Sequence, residues 1–421
     1  MSAFELKGRL ETVDAIRGFA VCGILIMNIV SMGEPGYAYI DPSYYGGATG
    51  GNLAAWALAY VFADGKMRML FTMLFGASLA ITTDRAEHPA RVHYSRMVWL
   101  LAFGMIHGWL FWYGDILVEY ACIGAILFVA RKWPVSALIY AGLLLIVVGA
   151  GMELANGAAA EKLREAASMP GASAAARQAW TEMLVQLAPP KSVIAFELEH
   201  YRGGFWSAFE ARKPMITMFQ TLFLPVNLPG GVGIAALGLA AYRSGFLGGA
   251  WRRRRYVWVA SAGAVALLAY VPIVRWLIAS HFDPVLMTLT NNLSLLLRLF
   301  VAFGYAAALI LLVQSGAMRW LVTRLAAAGR MAFSNYLGTT LITTTLFYGY
   351  GFGLFGTLER AQLYWIVLGV WTLILLWSKP WLARFHYGPL EWLWRSLARG
   401  ERQPFLRRAG QLGPREQFPG A

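Results

Sequence analysis

Long apolar runs, broken by short basic or glycine-rich stretches, set the pattern of this chain. An α-helix needs about 20 apolar residues to cross the hydrocarbon core of a bilayer. On that scale the pattern predicts helices over about 13–33, 95–113, 115–130, 134–152, 214–243, 256–279, 291–314, 330–350 and 360–378. The run at 53–83 reads as one long or broken helix, interrupted near Asp64-Gly65-Lys66. Glu34 to Gly51 is rich in Gly and Tyr and carries Pro35 and Pro42, so it reads as an ordered loop. A kink is expected at Pro225 and Pro229-Gly230-Gly231. Only 153–213 departs from the pattern. It is Ala-rich, mixed in charge and punctuated by Pro170, Pro189 and Pro190, and it predicts two or three amphipathic helices outside the membrane. Leu390 to Leu397 is Trp-rich and amphipathic, as an interfacial helix would be.

Composition agrees with the pattern. Of 421 residues, 58% are hydrophobic and 14% charged, and the mean hydropathy is +0.53; a soluble domain carries roughly 25% charged residues. The fold class read here is all-α, a polytopic membrane protein with about ten transmembrane helices. Asp14 and Arg17 at the start of the first run, with no small-residue cleavage site after it, predict a retained helix rather than a cleaved signal peptide.

The placement of charge orients these helices. With both termini cytoplasmic, Arg85/Arg91/Arg96, Arg131/Lys132, the run Arg252 to Arg255, Arg319/Arg324/Arg330 and the basic tail all fall inside. The chain then divides into helices one to five with the candidate active site (1–152), an extracytoplasmic insertion (153–213), helices six to ten (214–380) and a cytoplasmic basic tail (381–421). The net charge of +14 lies mostly in short loops, so it does not indicate nucleic acid. Cys22 and Cys122 lie inside apolar runs and suggest neither a structural disulfide nor a metal site. There is no Walker loop, Gly-rich dinucleotide motif, GxSxG elbow or His-rich metal pattern, and nothing indicates an ATP-driven pump.

Ionisable residues at membrane depth are costly and so are candidates for function. The stretch FGMIHGWLFWYGDILVEY at 103–120 brings together His107, Asp115 and Glu119. Trp109, Phe111, Trp112 and Tyr113 form an aromatic belt, Gly114 breaks the chain, and Asp115 and Glu119 open the next helix one turn apart. Imidazole is the usual general base near neutral pH when a neighbour fixes its tautomer, and either carboxylate could be that neighbour. A structural reading is equally available: a hydrogen-bonded core histidine, Asp115 as a helix cap and Glu119 facing water. Asp14 and Arg17 share one face near the inner end of the first helix, as an interfacial ion pair or an anion clamp, with Asn28 about three turns beyond. Lys66 and Arg68 need partners, either in the bundle or on an anionic substrate. Arg330 suits a cytosolic phosphate, and Ser334 and Asn335 suit hydrogen bonds within the bundle or to substrate. Arg298, in mid-helix, requires a counter-charge.

Several ordered motifs resemble the YeiB family of bacterial inner-membrane proteins across nearly the whole chain. They are RLETVDAIRGFAVCGILIMNI (9–29), DPSYYGG (41–47), KMRMLFTMLFGASL (66–79), MIHGWLFWYGDILVEYACIG (105–124), GRMAFSNYL (329–337), LFYGYGFGLFG (346–356) and YGPLEWLWRSL (387–397). The D-x-x-R-G start is also similar to the heparan-α-glucosaminide N-acetyltransferase group and to membrane enzymes that acetylate bacterial surface sugars. That similarity implies a ten-helix transmembrane acyltransferase core, with acetyl-CoA or another acyl-CoA presented from the cytosol and a small-molecule or glycan acceptor at the outer face. It makes Arg17, Lys66, Arg68 and Arg330, with Asp14 orienting, candidates for the CoA phosphates, and His107 the candidate base. Two departures stand out: Asn28 lies where the sugar acetylases often carry a histidine, and Asp41-Pro42-Ser43-Tyr44-Tyr45 lies where the lysosomal enzyme has its active-site histidine. The expectation is an acyl-CoA-dependent acyltransferase surrounded by membrane lipids, with no metal and no nucleic acid, and with a homodimer left open. The alternatives are a transporter of a small anionic or amphipathic solute, and an inactive scaffold.

Overall fold

A computed structural model describes residues 3–84 and 87–407. Arg85 and the end of the basic tail, 408–421, lie outside the described residues. Helix α1 (Ala3–Gly33) is followed by a loop and by α2 (Gly50–Phe62) and α3 (Lys66–Thr83). Next come α4 (Pro89–Leu110), α5 (Leu117–Leu127) and α6 (Val135–Ser168). The middle of the chain forms α7 (Ala174–Leu187), α8 (Lys191–Tyr201), α9 (Phe205–Met218) and α10 (Leu224–Arg243). Then follow α11 (Arg253–Leu268), α12 (Tyr270–Ala279), α13 (Pro284–Leu293) and α14 (Leu295–Ser315). Last are α15 (Arg319–Arg330), α16 (Ala332–Phe347), α17 (Arg360–Arg384) and α18 (Pro389–Arg399). Among the described residues the sole β pairing is an isolated bridge between Phe385 and Leu406. Six of the described helical segments are long and apolar enough to cross a membrane. They are Glu11–Gly33, Val135–Ser168, Phe205–Arg243, Arg253–Ala279, Leu295–Ser315 and Arg360–Arg384. The run expected at 95–113 forms the undivided 22-residue α4, and the other runs expected as crossings fold as shorter or divided helices.

Several boundaries differ from the sequence reading, each for a local reason. The expected break at 64–66 is real: Gly65 takes a left-handed conformation, φ +68°, between α2 and α3. By contrast α6 does not end near 152. Its Ala-rich continuation has high helix propensity and meets no proline before Pro170. In the next span the regular helix is interrupted by a widened turn, Phe219–Phe223, ahead of Pro225, and α10 continues through Pro229. Pro225 lies in the first turn of α10, where a missing N–H costs little. Helix α15, read from the sequence as a basic loop, is short and amphipathic and lays its small residues along α1.

Close approach at glycine fixes the centre of the bundle. A Cβ on Gly18 would lie 2.0 Å from the Leu325 carbonyl oxygen, and one on Gly329 would lie 1.9 Å from that of Asp14. Helices α1 and α15 therefore touch backbone to backbone, a mode that small residues permit where no hydrophobic effect drives helices together. Gly76 and Gly238 do the same for α3 and α10. At the other end of α1, Arg360 donates to Glu34 (3.3 Å) and to the Ala38 carbonyl (2.6 Å), tying the loop after α1 to the start of α17.

Candidate functional site

His107 lies in the last turn of α4, and the chain reverses so that Asp115 returns to it. Nδ1 of His107 is 2.6 Å from Oδ2 of Asp115. A carboxylate only accepts, so Nδ1 donates to it. Nε2 is 3.0 Å from the Thr340 hydroxyl of α16, which also lies 3.5 Å from the Tyr336 carbonyl. The His107 and Asp115 side chains are 4% and 1% exposed. Rings of Tyr336 and Trp112 stand edge-on to the imidazole, and the Tyr336 hydroxyl accepts the Ile116 N–H. Oδ1 of Asp115 accepts the Val118 N–H and so caps α5. Asp115 thus both orients the histidine and closes the turn.

The C-terminal end of α4 is itself clamped. Arg212 of α9, fully buried, donates to the carbonyls of Trp109, Leu110 and Phe111. These are carbonyls left over at a helix end, and a guanidinium there also matches the negative end of the helix dipole. Sequence reasoning missed Arg212, because it lies in a segment without a readable motif. Beside Thr340 is a small cavity, about 10 Å³, lined by Asn28, Met32, Tyr336 and Thr339 among others. It has room for about one water. Asn28 therefore stands at the same site as His107.

Glu119 does not join that site. Helix α5 begins at Leu117, so Asp115 is not yet helical and the one-turn spacing does not put the two carboxylates on one face. Glu119 points instead into a second cavity of about 100 Å³, with Arg68, Glu153 and Arg298. The guanidinium of Arg298 finds Asp64 at 3.2 Å and also donates to Asn291. Lys66 is fully buried; its Nζ donates to the Tyr60 carbonyl (2.5 Å) and lies 3.6 Å from the centre of the Tyr270 ring. Met67 beside it fills the notch at Gly23 of α1, which sits roughly 9 Å along the helix axis from Arg17. The five residues singled out as an anion-binding group are therefore divided: Lys66 and Arg68 stand mid-bundle, apart from Asp14, Arg17 and Arg330.

At the other end of the bundle Arg17 pairs with Asp14 at 2.7 Å, both side chains about one-fifth exposed. The charges that bear on Arg96 are those of Arg395 and Arg399 of α18 and of Arg17. Helix α18 is held against α4 by Ser95 donating to the Ala398 carbonyl, by Trp394 donating to the Arg96 carbonyl, and by Arg96 stacking 4.4 Å over the Trp394 ring. Arg330 is exposed. Ser334 and Asn335, candidates for substrate contact, are engaged inside the chain. Glu391 of α18 accepts from the Phe333 and Ser334 N–H groups and from the Ser334 hydroxyl. The Asn335 amide donates to the Ala328 carbonyl and to Ser378, and accepts from Trp377. Among the described residues no group of three or more His, Cys, Asp or Glu is placed to hold a metal ion.

The fold and these buried polar sites define an all-helical membrane protein. The profile of the family described as "Protein of unknown function (DUF418)" matches residues 241–401. The chain is 33% identical to the "Uncharacterized protein YeiB" of Escherichia coli (strain K12), over 92% of this chain and 96% of that one. It is 28% identical to the "Uncharacterized protein YxaH" of Bacillus subtilis (strain 168), over 95% of this chain and 96% of that one. No solved structure matches. The chain belongs to the YeiB family.

Proposed function

We propose that this protein is an acyltransferase of the bacterial inner membrane. In this reading it crosses the membrane about ten times with both termini cytoplasmic, the 153–213 segment lying outside. It moves an acyl group, acetyl by preference, from cytosolic acyl-CoA to a small-molecule or glycan acceptor at the outer face. The observation that supports it is the imidazole of His107, held by Asp115 on one nitrogen and offered through the other to a hydroxyl. In the reaction Nε2 takes the proton of the acceptor hydroxyl or amine as that group attacks the thioester carbonyl. The CoA thiolate leaves and takes up a proton. Asp115 keeps the tautomer and stabilises the imidazolium. Thr340 occupies Nε2 at rest and turns aside for the acceptor.

The donor's phosphates suit the guanidiniums of Arg96, Arg395 and Arg399, and that of Arg17, which Asp14 meets at 2.7 Å. From Arg17 to Asn28 helix α1 rises roughly 16 Å, a gap for the pantetheine arm to cover. A second reading, a transporter of a small anionic or amphipathic solute, draws support from the breaks at Gly65 and Ser294, which meet at a charged cavity.

Binding of acetyl-CoA to the full chain in detergent, by calorimetry, tests the first reading. Saturable binding that Arg17→Ala and Arg395→Ala abolish supports it. A folded protein that binds no acetyl-CoA overturns it in favour of transport. Once an acceptor is found, His107→Ala should lower turnover at least ~10-fold, since positioned acid–base groups contribute ~10²–10⁴-fold.

A further inference from the structure

The cavity between α3, α5, α6, α10 and the α13–α14 break stands apart from the His107 site. It holds about 100 Å³, roughly seven to ten times what one water needs. Its walls carry opposite charges on opposite elements: Arg68 and Arg298 from α3 and α14, Glu119 and Glu153 from α5 and α6. Arg68 feels Glu119 as its leading counter-charge, yet among the described residues no ion pair within 4.0 Å joins them. Two further groups on the wall are left without partners. Nε of Arg298 and Oδ1 of Asn292 are buried and accept or donate no hydrogen bond, in side chains of residues only 6% exposed. Ile146, Val226 and Ile234 supply an apolar side to the same space.

Arg298 is buried while Glu119 and Glu153 are half-buried and Arg68 is exposed, so three of the four charges are open to a ligand, and a site holding both signs is not satisfied by an ion of one sign. Asp64 already meets one nitrogen of Arg298, so what the wall leaves open is Arg68 and the Arg298 Nε on one side and two carboxylates on the other; an ion of either sign would answer only one side. We infer that this cavity is a binding site for a small zwitterion, a compact solute with an ammonium and a carboxylate on a short carbon chain. Its carboxylate meets Arg68 and the free Nε of Arg298, its ammonium meets Glu119 and Glu153, and its carbons lie on the Ile146–Ile234 side. Gly65 allows the approach of Arg298, whose Nε lies 2.7 Å from where a Cβ on Gly65 would be. Discontinuous helices meeting at mid-membrane are a recurrent way to build such a site.

The test needs no acyl donor, so its result is independent of the catalytic reading. The full chain in detergent is titrated with glycine, β-alanine and 4-aminobutyrate, and with butyrate and butylammonium as single-charge controls, by calorimetry and thermal shift. At least one zwitterion should bind saturably and at least ten-fold more tightly than either control. Glu153→Gln and Arg68→Met should each weaken it at least ten-fold. A folded wild-type protein that binds no zwitterion, or that binds butyrate or butylammonium equally well, overturns the inference, as does unchanged binding in both variants. The wild-type comparison decides even where a variant fails to fold.

Discussion

Adding one methyl group to Gly18 should loosen the centre of this protein. The new Cβ would stand 2.0 Å from the Leu325 carbonyl oxygen, whereas ordinary contact begins at 3.4 Å, so α1 and α15 must part by roughly 1 Å or more. The obstructing atom is backbone and has no rotamer to escape into. Overpacking of this kind typically costs 1–3 kcal/mol. Against it stands the better helix propensity of Ala, about 1 kcal/mol over Gly. With a rigid obstacle the upper part of the range applies, and Gly18→Ala should lose about 2 kcal/mol. Gly369 of α17 is the control, because a Cβ there meets nothing within 4 Å and only the propensity gain of up to about 1 kcal/mol remains. The same substitution is thus expected to act with opposite signs at two helical glycines. Thermal unfolding in detergent, followed by tryptophan fluorescence, reads both; Gly18→Ala should melt a few degrees below wild type and Gly369→Ala at or above it. Gly329→Ala should mimic Gly18→Ala, and the double variant should fall short of the sum, because helices already parted admit the second methyl. A Gly18→Ala protein that melts with or above wild type would refute the backbone contact. The α1 geometry that carries Arg17 and Asn28 would fall with it.

Other tests follow from named contacts. Asp115→Asn keeps a side-chain acceptor for the Val118 N–H but loses the charge that orients His107; turnover should drop at least ~10-fold with little change in melting, and unchanged turnover would remove Asp115 from the mechanism. Glu197 of α8 is buried and its carboxyl is pushed up to about 7, although the Gly36 N–H, donated to it at 2.9 Å, works the other way. Its folded state holds the proton more tightly than the unfolded chain does. Its contribution to stability is therefore full below pH 4.5, declines as pH rises through about 7 and is flat above. Glu197→Gln should flatten the melting temperature across that window, and an unaltered pH slope would show that other groups cause it. Glu391→Ala leaves the first N–H groups of α16 without their acceptor and should cost about 1–2 kcal/mol; unchanged melting together with unchanged proteolysis of α18 would contradict the cap.

What was legible in the sequence was local. Apolar run length gave the membrane class, and the Gly65 break and the amphipathic α18 followed from glycine and from the spacing of tryptophans. His107 and its two candidate carboxylates were legible as one group because a single turn separates the helices, but that Asp115 and not Glu119 meets the imidazole was not. The spacing of Asp115 and Glu119 misled, because a one-turn rule holds only inside a helix and α5 starts two residues after Asp115. Helix α15 was hidden because its charged face depresses its hydropathy, while its small-residue face is useful only once α1 lies against it. Tertiary structure alone brought Thr340 to Nε2, Arg212 to the end of α4, Asp64 to Arg298, and Arg395 and Arg399 to Arg96. Such partners are far apart along the chain. Hydrophobic period fixes which face of a helix is buried, but the neighbour it meets depends on how all the helices cross.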